Sequence, residues 1–323
     1  MPRPTPNSIP TPERIARFPL TGPGGEPVDL ARTFHSHGVA SLPPMRTDET
    51  SGTFEVTLSA DGAGSYTVRV SPDGPGHGAV SAAGALCGRE GEALLAAVRC
   101  VLRLDEDLSG FYARAVEDPE LSWVTGGAGR MVRSPSVFEE VIKTICTTNC
   151  AWSATERMVG ALVEHLGEPA PDAPQETPYG RSFPTPEAMA EAGEDFYRDV
   201  VRAGYRGRYL MALARSVAEG TLDLEALGSS TAEELPDDEL ELRLLALPGV
   251  GPYAAAHVMM MLGRYSRLIF DSWTRPKYAR LAGEESVTDE EIRTRFRRYE
   301  EYAGLAFWLY LTRDWFPDPL TSG

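Results

Sequence analysis

The stretch from residue 239 to residue 271 combines a glycine-rich turn with a later carboxylate. The turn 247–251, Leu-Pro-Gly-Val-Gly, joins two segments whose apolar residues recur at helical spacing. Gly249 and Gly251 allow the backbone to approach a partner closely, and the first amides of the second helix point outward at the positive end of its dipole. A phosphate group can bind at such a terminus without a lysine. Asp271 follows the second glycine by twenty residues.

The charge of the chain is distributed unevenly around this turn. The 323 residues include 31 basic and 47 acidic side chains, a formal net charge of −16. This excess of acidic residues argues against non-specific nucleic-acid binding by bulk charge. Between residues 247 and 280, however, Asp271 is the one acid and the net charge is +4; the basic residues are Arg264, Arg267, Arg275, Lys277 and Arg280. We therefore expect positive charge to be segregated near the turn.

Composition limits the class of protein. Hydrophobic residues make up 42% and charged residues 24%, which is typical of a globular protein. The longest strongly apolar run, 305–311, is far shorter than the roughly 20 residues of a bilayer span, and the N-terminus lacks a secretory signal pattern. We expect a cytoplasmic protein without membrane contact. Neither a zinc knuckle nor an iron-sulfur cluster is expected, because no CxxC pair occurs and no cysteine follows residue 150.

Two regions of different pattern must position these residues. Residues 1–24 are rich in proline and predict a flexible arm. Residues 25–105 predict an antiparallel α+β lobe with a structural role, because apolar residues alternate in 53–59 and again in 66–70, after an Asp61-Gly62 turn. A helix near 94–102 is expected to cover this hairpin.

From residue 106 to residue 323 the pattern is helical, so the fold class is mainly α, with the helical hairpin at 239–262. Ser136 and Glu139 predict a capping box, and so do Thr288 and Glu291. Further helices are predicted at 154–166, from Thr185-Pro186, at 205–219 and at 289–311.

The turn 247–251 followed by Asp271 resembles the helix-hairpin-helix DNA glycosylase superfamily, whose catalytic aspartate lies in that place. The stretches 145–149 (ICTTN) and 204–209 (GYRGRY) are similar to the 8-oxoguanine branch, and 302–304 (YAG) is similar to its closing helix. The similarity covers roughly residues 130–315. It implies a monomer that binds double-stranded DNA containing a damaged base.

The resemblance assigns Asp271 to catalysis. A carboxylate near the anomeric carbon stabilises a positively charged sugar as the base leaves, and can orient the attacking water. The alternative is that Asp271 only caps the helix near 272–281. In superfamily members that also cut the strand, a lysine attacks the sugar; its place is taken here by Tyr253, and the two lysines, Lys143 and Lys277, lie elsewhere. We therefore predict a monofunctional enzyme without lyase activity.

The resemblance also predicts a base pocket. Tyr253 and His257 match aromatic pocket positions of the 3-methyladenine branch, where an electron-rich ring favours positively charged alkylated purines. Alternatively both residues pack in the core. The glutamine by which the 8-oxoguanine branch recognises its base aligns with Phe307.

Further DNA contacts follow from the same resemblance. Asn149 matches the residue that fills the gap left by the flipped nucleotide, or else it caps a helix. Arg206 matches an arginine that contacts the orphaned base, or else it is a surface charge, and Lys277 could reach a phosphate. The main-chain carbonyls of Leu245, Leu247 and Val250 match a monovalent-cation site, and no other cofactor is expected.

The sequence thus predicts a monofunctional DNA glycosylase of base excision repair that hydrolyses the N-glycosidic bond of a flipped, alkylated purine. Two alternatives stay open: an oxidised-purine (8-oxoguanine) glycosylase, and a non-catalytic protein that binds damaged DNA.

Overall fold

The N-terminal lobe is built on a five-stranded antiparallel sheet. A computed structural model of the chain describes residues 13–60, 64–83, 88–171, 173–174 and 177–315. The strands, in the spatial order β1-β5-β4-β3-β2, are β1 Glu13–Pro19, β2 Met45–Asp48, β3 Thr53–Ala60, β4 Gly64–Pro72 and β5 His77–Ala82. The predicted hairpin is confirmed: Phe54 pairs with Val70 and Val56 with Val68. Its Asp61-Gly62 turn lies outside the described residues.

One face of this sheet is buried by two helices, α1 Leu30–Phe34 and α2 Gly88–Val101. Leu94 and Val98 of α2 pack against Phe54, Val56 and the other inward residues of the strands. The alternating apolar residues of the strands and the apolar residues at helical spacing in α2 therefore pack together in one layer, as expected for the α+β lobe.

The arm predicted for residues 1–24 is wrong for its second half. Residues 13–19 form β1, which pairs with β5 along the edge of the sheet. Arg14 and Arg17 both form ion pairs with Asp73. Pairing with a strand some sixty residues later cannot be deduced from a local proline count. Residues 1–12 lie outside the described part of the chain.

The remainder is helical. Its α-helices are α3 Ser109–Ala115, α4 Val137–Thr147, α5 Trp152–Leu166, α6 Pro186–Glu191, α7 Gly193–Asp195, α8 Arg206–Ala218, α9 Glu225–Ser229, α10 Asp237–Leu245, α11 Pro252–Met261, α12 Thr274–Ala282, α13 Asp289–Phe296 and α14 Ala303–Thr312. Short 3₁₀ turns occupy Gly38–Ser41, Ser122–Gly126 and Arg297–Tyr302, and a π turn occupies Phe196–Val200. The mainly helical fold class with a helical hairpin and an N-terminal sheet lobe is confirmed.

The predicted caps are confirmed with one change. Ser136 accepts the amide of Glu139 at the start of α4, but the carboxylate of Glu139 pairs with buried Lys143 instead of returning to the cap. Because a buried lysine requires a carboxylate as counter-charge, Glu139 pairs with Lys143 and does not complete the capping box. At the start of α13, Thr288 and Glu291 form the complete box.

The single helix predicted for 289–311 is wrong, because it is broken between α13 and α14. Glu300 has a left-handed φ of +52°, and the 3₁₀ turn at 297–302 redirects the chain. The redirection brings Gly304 against a neighbouring loop, where its amide donates to the carbonyl of Tyr265 at 2.6 Å. A Cβ on Gly304 would lie 2.1 Å from the carbonyl oxygen of Arg267, so this approach requires glycine.

Helix α11 is the central element of the helical region, because it is buried on every side. Ala254, Ala255 and Val258 pack with α4, α5 and α8, while Met260 and Met261 pack with α3, α12 and α14. The turn before α11 is therefore attached to a rigid support. None of the helices in the described ranges is both long enough and apolar enough to cross a membrane.

Candidate active site and nucleic-acid interface

A cavity of about 850 Å³ opens beside the turn between α10 and α11. Its lining residues are 147–150, Tyr205, 249–254 and 270–272, from the end of α4, the start of α8, the hairpin turn and the loop before α12. It brings together six residues predicted from the sequence: Asn149, Gly249, Val250, Gly251, Tyr253 and Asp271. The other predicted side chains lie behind or outside it.

Asp271 caps α12 and lines the cavity at the same time. Its Oδ1 accepts hydrogen bonds from the amides of Trp273 at 2.8 Å and Thr274 at 2.6 Å. Its own amide donates to Oγ1 of Thr274 at 2.9 Å. Oδ2 accepts no hydrogen bond from any described residue, although the residue is part of the cavity wall. The capping and catalytic interpretations are therefore compatible: the cap fixes one oxygen and leaves the other for chemistry.

The hairpin turn needs glycine at Gly249 for a physical reason. Its φ is +82°, and a Cβ there would lie 2.9 Å from Cδ2 of Tyr209. A Cβ on Gly251, by contrast, would have no other atom within 4 Å, so the face of this residue is open to a partner. Pro252 is the first residue of α11 and has no amide, so Tyr253 and Ala254 supply the free amides of the first turn.

The loop after α4 is held by the start of α8. Asn149 has a left-handed φ of +47°, and its Nδ2 donates to the hydroxyl of Tyr205 at 3.2 Å. Arg206 is 7% exposed; it donates to the carbonyl of Thr148 and lies 4.7 Å from the ring centre of Tyr205. The alternative of a surface charge for Arg206 is wrong. Its guanidinium positions the Asn149 loop in this structure.

We expect Arg206→Ala to lower the free energy of unfolding by about 2 kcal/mol, because hydrogen bonds from a charged donor to a buried loop are lost. Binding to duplex DNA is expected to weaken about tenfold as Asn149 loses its fixed position. Thermal unfolding and fluorescence anisotropy test both effects. Arg208→Ala is the matched control, since exposed Arg208 contacts only the neighbouring Tyr209 among the interactions described. Equal losses in both variants would contradict the positioning role.

Tyr253 separates the cavity from two buried histidines. Its hydroxyl lies 3.3 Å from Oγ1 of Thr147, and its ring stacks on His257 with centroids 6.1 Å apart. The ring of His257 meets the edge of His37, 5.8 Å away, from the N-terminal lobe. Burial raises the pKa of Tyr253 and lowers the pKa of His257, and it lowers the pKa of His37 to about 4. The sequence predicts His257 as a pocket residue, but it lies one layer behind Tyr253.

The two histidines predict acid lability. Because the folded protein holds His37 with a pKa of about 4, the unfolded chain binds more protons between pH 6.5 and 4. The free energy of unfolding therefore falls as the pH is lowered through this range, and the contribution of His37 alone is about 3 kcal/mol. Glu140 raises the pKa of His37 and Lys143 lowers it, and burial remains the largest cause of the low pKa. Denaturant unfolding at several pH values should give a flatter profile for His37→Phe; an unchanged slope would contradict the assignment.

Phe307, predicted in the base pocket, is fully buried in the core of α12, α13 and α14. Its ring lies 5.7 Å from that of Phe270, which does line the cavity. Phe307 therefore supports the wall from behind. An apolar side chain on a helix that is buried on every side faces the core, whereas a glutamine there would need a polar partner.

The positive charge predicted around the turn is largely neutralised by acids from other elements. Lys277 is 7% exposed and pairs with Asp314, so it is not free for a phosphate in this structure. The other ion pairs are Arg264 with Asp237, Arg267 with Asp238 and Glu241, and Arg275 with Asp289. Residues 247–280 do carry a net charge of +4. In the folded chain, however, acidic side chains of α10 and α13 form ion pairs with these basic residues.

DNA affinity should therefore depend only weakly on salt. Few free cations release few counterions, so we expect a plot of log K against log salt to have a slope no steeper than about −3. Titrations of a lesion-bearing duplex between low and physiological salt measure it. A slope near zero would contradict phosphate binding at the hairpin. A steep slope would show that the basic residues near the turn are not neutralised by their acidic partners when DNA binds.

The predicted cation site fits the local chemistry in part. Leu245 is the last residue of α10, where main-chain carbonyls lack helical partners. Leu247 lies in the turn that follows, and its carbonyl accepts a hydrogen bond from the amide of Val250 at 3.2 Å. Among the described residues no group of three or more His, Cys, Asp or Glu side chains could hold a metal ion. The monovalent-cation site stays a prediction.

Thr147, Thr148 and Tyr205 are among the cavity residues that were not singled out from the sequence. Thr147 is the last residue of α4, Thr148 follows it, and Tyr205 is half exposed beside Asn149. The signal was present, because all three belong to the stretches ICTTN and GYRGRY that carried the resemblance. Tyr209 of the second stretch packs against Gly249. The two stretches and the hairpin turn thus form one surface.

Comparison with solved structures defines the class of fold. The chain superposes on a 3-methyladenine DNA glycosylase from Archaeoglobus fulgidus with a TM-score of 0.71 and 21% identity, covering 93% of this chain and 99% of that one. It superposes on the Clostridium acetobutylicum 8-oxoguanine glycosylase/lyase, in complex with double-stranded DNA containing cytosine opposite 8-oxoguanine, with a TM-score of 0.67 and 20% identity, covering 90% and 93%. The chain has the helix-hairpin-helix DNA glycosylase fold, and the resemblance found in the sequence is confirmed.

Similarity to curated sequences is more restricted. The Mycobacterium tuberculosis protein named "Probable bifunctional transcriptional activator/DNA repair enzyme AlkA" is 30% identical over 171 residues, which is 52% of this chain and 32% of that protein. The chain therefore matches about a third of the length of this relative. No protein-family model matches the chain.

Proposed function

We propose that this protein is a monofunctional DNA glycosylase that removes a flipped, alkylated purine from double-stranded DNA. The observation that carries the proposal is the position of Asp271. Its carboxylate lines the same cavity as the hairpin glycines and Tyr253, with one oxygen fixed by the α12 cap and the other without a partner among the described residues. That geometry suits an anion placed beside a sugar whose phosphate is bound at the hairpin.

In the proposed reaction the protein holds the DNA backbone at the open face of Gly251 and the amides of Tyr253 and Ala254. Asn149, held by Tyr205, fills the gap left by the flipped nucleotide. A monovalent cation on the carbonyls at the end of α10 would add positive charge for the phosphate. Each of these contacts keeps the base in the cavity long enough for the bond to break.

Hydrolysis then needs one group from the protein at the sugar. The bond between C1′ and the base nitrogen breaks with its electron pair going to the base, and the carboxylate of Asp271 stabilises the positive charge left on the sugar. The same carboxylate orients a water that attacks C1′ and gives up a proton. A cationic alkylated purine leaves as a neutral base, so it needs no general acid.

The absence of lyase activity is proposed from the lysines of the chain. There are two, Lys143 and Lys277, and both are buried and ion-paired with carboxylates. The cavity position that would carry the nucleophile is Tyr253. A buried, paired ammonium cannot attack a sugar in the cavity, so the product should be an intact strand with an abasic site.

A second candidate is excision of an oxidised purine. It is favoured by the contact between Asn149 and Tyr205 and by the fold shared with the Clostridium enzyme. It is disfavoured by the burial of Phe307, since no glutamine occupies that place to recognise the base. A non-catalytic DNA-binding protein is the remaining alternative, and the unpartnered oxygen of Asp271 weighs against it.

The proposal is tested by single-turnover base release from duplexes carrying 3-methyladenine, 1,N6-ethenoadenine, hypoxanthine or 8-oxoguanine. Strand breaks that need alkali, on alkylated substrates, are the expected result. Release of 8-oxoguanine alone would favour the second candidate, and breaks without alkali would contradict the argument from the lysines. Tight lesion binding without release would favour the non-catalytic alternative.

A further inference from the structure

The chain after α14 is attached to the start of α12, the helix that Asp271 caps. Trp315 packs on Trp273 with ring centroids 6.1 Å apart, and the preceding residue, Asp314, forms an ion pair with Lys277. The amide of Lys277 donates to the carbonyl of Trp273 at 3.1 Å, so these two residues lie one helical turn apart on the same side of α12. Two consecutive residues of the terminal segment therefore contact α12 at two points.

Trp273 links this attachment to Asp271. Its main-chain amide donates to Oδ1 of Asp271 at 2.8 Å, while its indole ring contacts Trp315. The second amide on Oδ1 belongs to Thr274, which is fully buried. Because the amide and the ring of Trp273 belong to one residue, a displacement of the ring also displaces a hydrogen-bond donor of the carboxylate. The orientation of Asp271 in the cavity wall is therefore coupled to the packing of Trp273.

Trp308 is the buried member of this aromatic cluster. It lies in α14, is 9% exposed, and donates from Nε1 to the main-chain carbonyl of Ser36 in the N-terminal lobe at 2.8 Å. Its ring centroid lies 5.7 Å from that of Trp273 and 6.0 Å from that of Trp315. The ring of Trp273 thus packs against one ring that belongs to the core and one that belongs to the terminal segment.

The terminal segment supplies contacts for which the described residues offer no substitute. Lys277 is 7% exposed, and Asp314 is its one ion-pair partner in that part of the chain. A buried ammonium needs such a counter-charge. Trp273 is 39% exposed, and its aromatic neighbours among the described residues are Trp308 and Trp315 alone. Without Trp315, the ring of Trp273 would have lost one of these two partners and would be free to move toward solvent.

We propose that Trp315 is a positioning residue for base release, which holds the carboxylate of Asp271 in place through Trp273. The ion pair between Asp314 and Lys277 supports the same attachment one turn later. The inference rests on the proposed function, in which Oδ2 of Asp271 acts at the sugar. Stabilisation of a developing charge depends on the distance and orientation of the carboxylate, so a small displacement slows the reaction without weakening DNA binding.

A second attachment limits the size of the expected effect. Arg275 pairs with Asp289 of α13 and donates to the main-chain carbonyl of Asp271 at 3.2 Å. This contact stays when the terminal segment is altered. Loss of Trp315 should therefore slow base release without abolishing it.

The test compares the maximal rate of single-turnover base release with the Kd for the same lesion duplex, using the lesion, among the four named above, that the unsubstituted chain releases fastest. In Trp315→Ala the rate should fall about tenfold and the Kd should stay within about twofold. Trp315→Phe keeps an aromatic ring and should recover most of the rate. Arg313→Ala is the matched control, because Arg313 lies in the same segment but pairs with Glu120.

Three results would overturn the inference while the proposed function stands. They are a native rate in Trp315→Ala, equal slowing in Arg313→Ala, and weaker binding in place of slower release in Trp315→Ala, which would make Trp315 a DNA contact. Release of no base by the unsubstituted chain would overturn the proposed function and, with it, the role of Trp315 in the reaction.

Amide hydrogen exchange tests the same attachment without DNA. The amides of Trp273 and Thr274 should exchange about tenfold faster in Trp315→Ala, and at the native rate in Arg313→Ala. Native exchange of the buried α11 amides shows that a variant is folded; should Trp315→Ala fail this check, Asp314→Asn is the second variant, a milder change at a half-exposed residue. Native exchange at Trp273 and Thr274 in the folded variant overturns the inference.

Discussion

Replacing Asp271 with asparagine is expected to slow base release by about 10³-fold, because a neutral amide cannot stabilise a positively charged sugar or accept a proton from water. The fold should persist, since asparagine is as good a helix cap as aspartate and can still accept the amides of Trp273 and Thr274. Single-turnover kinetics on the substrate released fastest by the unsubstituted chain measures the loss.

Asp271→Ala separates the two roles of the residue. It removes the cap as well as the charge, so it should lower the free energy of unfolding by about 1 kcal/mol more than Asp271→Asn does. Both variants should still bind a lesion duplex. If Asp271→Asn releases the base at the native rate, the carboxylate is only a cap and the proposed reaction is wrong.

Substitution of the hairpin glycine Gly251 is expected to have the second large effect, a loss of affinity for DNA. Gly251→Ala places a methyl group on an open face with no protein atom within 4 Å, so stability should not change. The same methyl group would keep a phosphate from the amides behind it, and the loss of one charged hydrogen bond should weaken binding roughly tenfold or more. Anisotropy titrations with a lesion duplex at constant salt measure the change.

Gly249→Ala is the matched comparison at the other glycine. Here φ is +82° and the added Cβ would meet Tyr209 at 2.9 Å, so the free energy of unfolding should fall by about 2 kcal/mol. Loss of affinity with native stability is thus expected at Gly251, and loss of stability at Gly249. Native affinity in Gly251→Ala would show that the DNA backbone does not bind at this turn.

The sequence alone determined most of the local structure, because caps, turns and periodicity act over a few residues. Ser136, Thr185 and Thr288 each cap the helix predicted for them. The hairpin of β3 and β4 and the turn before α11 also form as predicted. The turn before α11 and the position of Asp271 after it were among the features from which the helix-hairpin-helix glycosylase fold was predicted, and the structure has that fold.

Other features depended on contacts between distant parts of the chain. Strand β1 forms only because β5 offers a free edge, and the helix predicted for 289–311 breaks where Gly304 must approach the Tyr265 loop. The cations near the hairpin are neutralised by acids of α10, of α13 and of the chain after α14, up to 37 residues away. No short window of the sequence contains both partners of such a pair.

The candidate site is divided in the same way. Spacing indicated the hairpin glycines, and the resemblance to the glycosylases selected Asp271, Tyr253 and Asn149; all of these residues line one cavity. Tertiary structure alone decided that Phe307 and Lys277 are buried, and that His37 of the N-terminal lobe meets His257 of α11. The physical reason is that helix and turn formation are set by neighbouring residues, whereas burial and pairing are set by whichever surfaces the folded chain brings into contact.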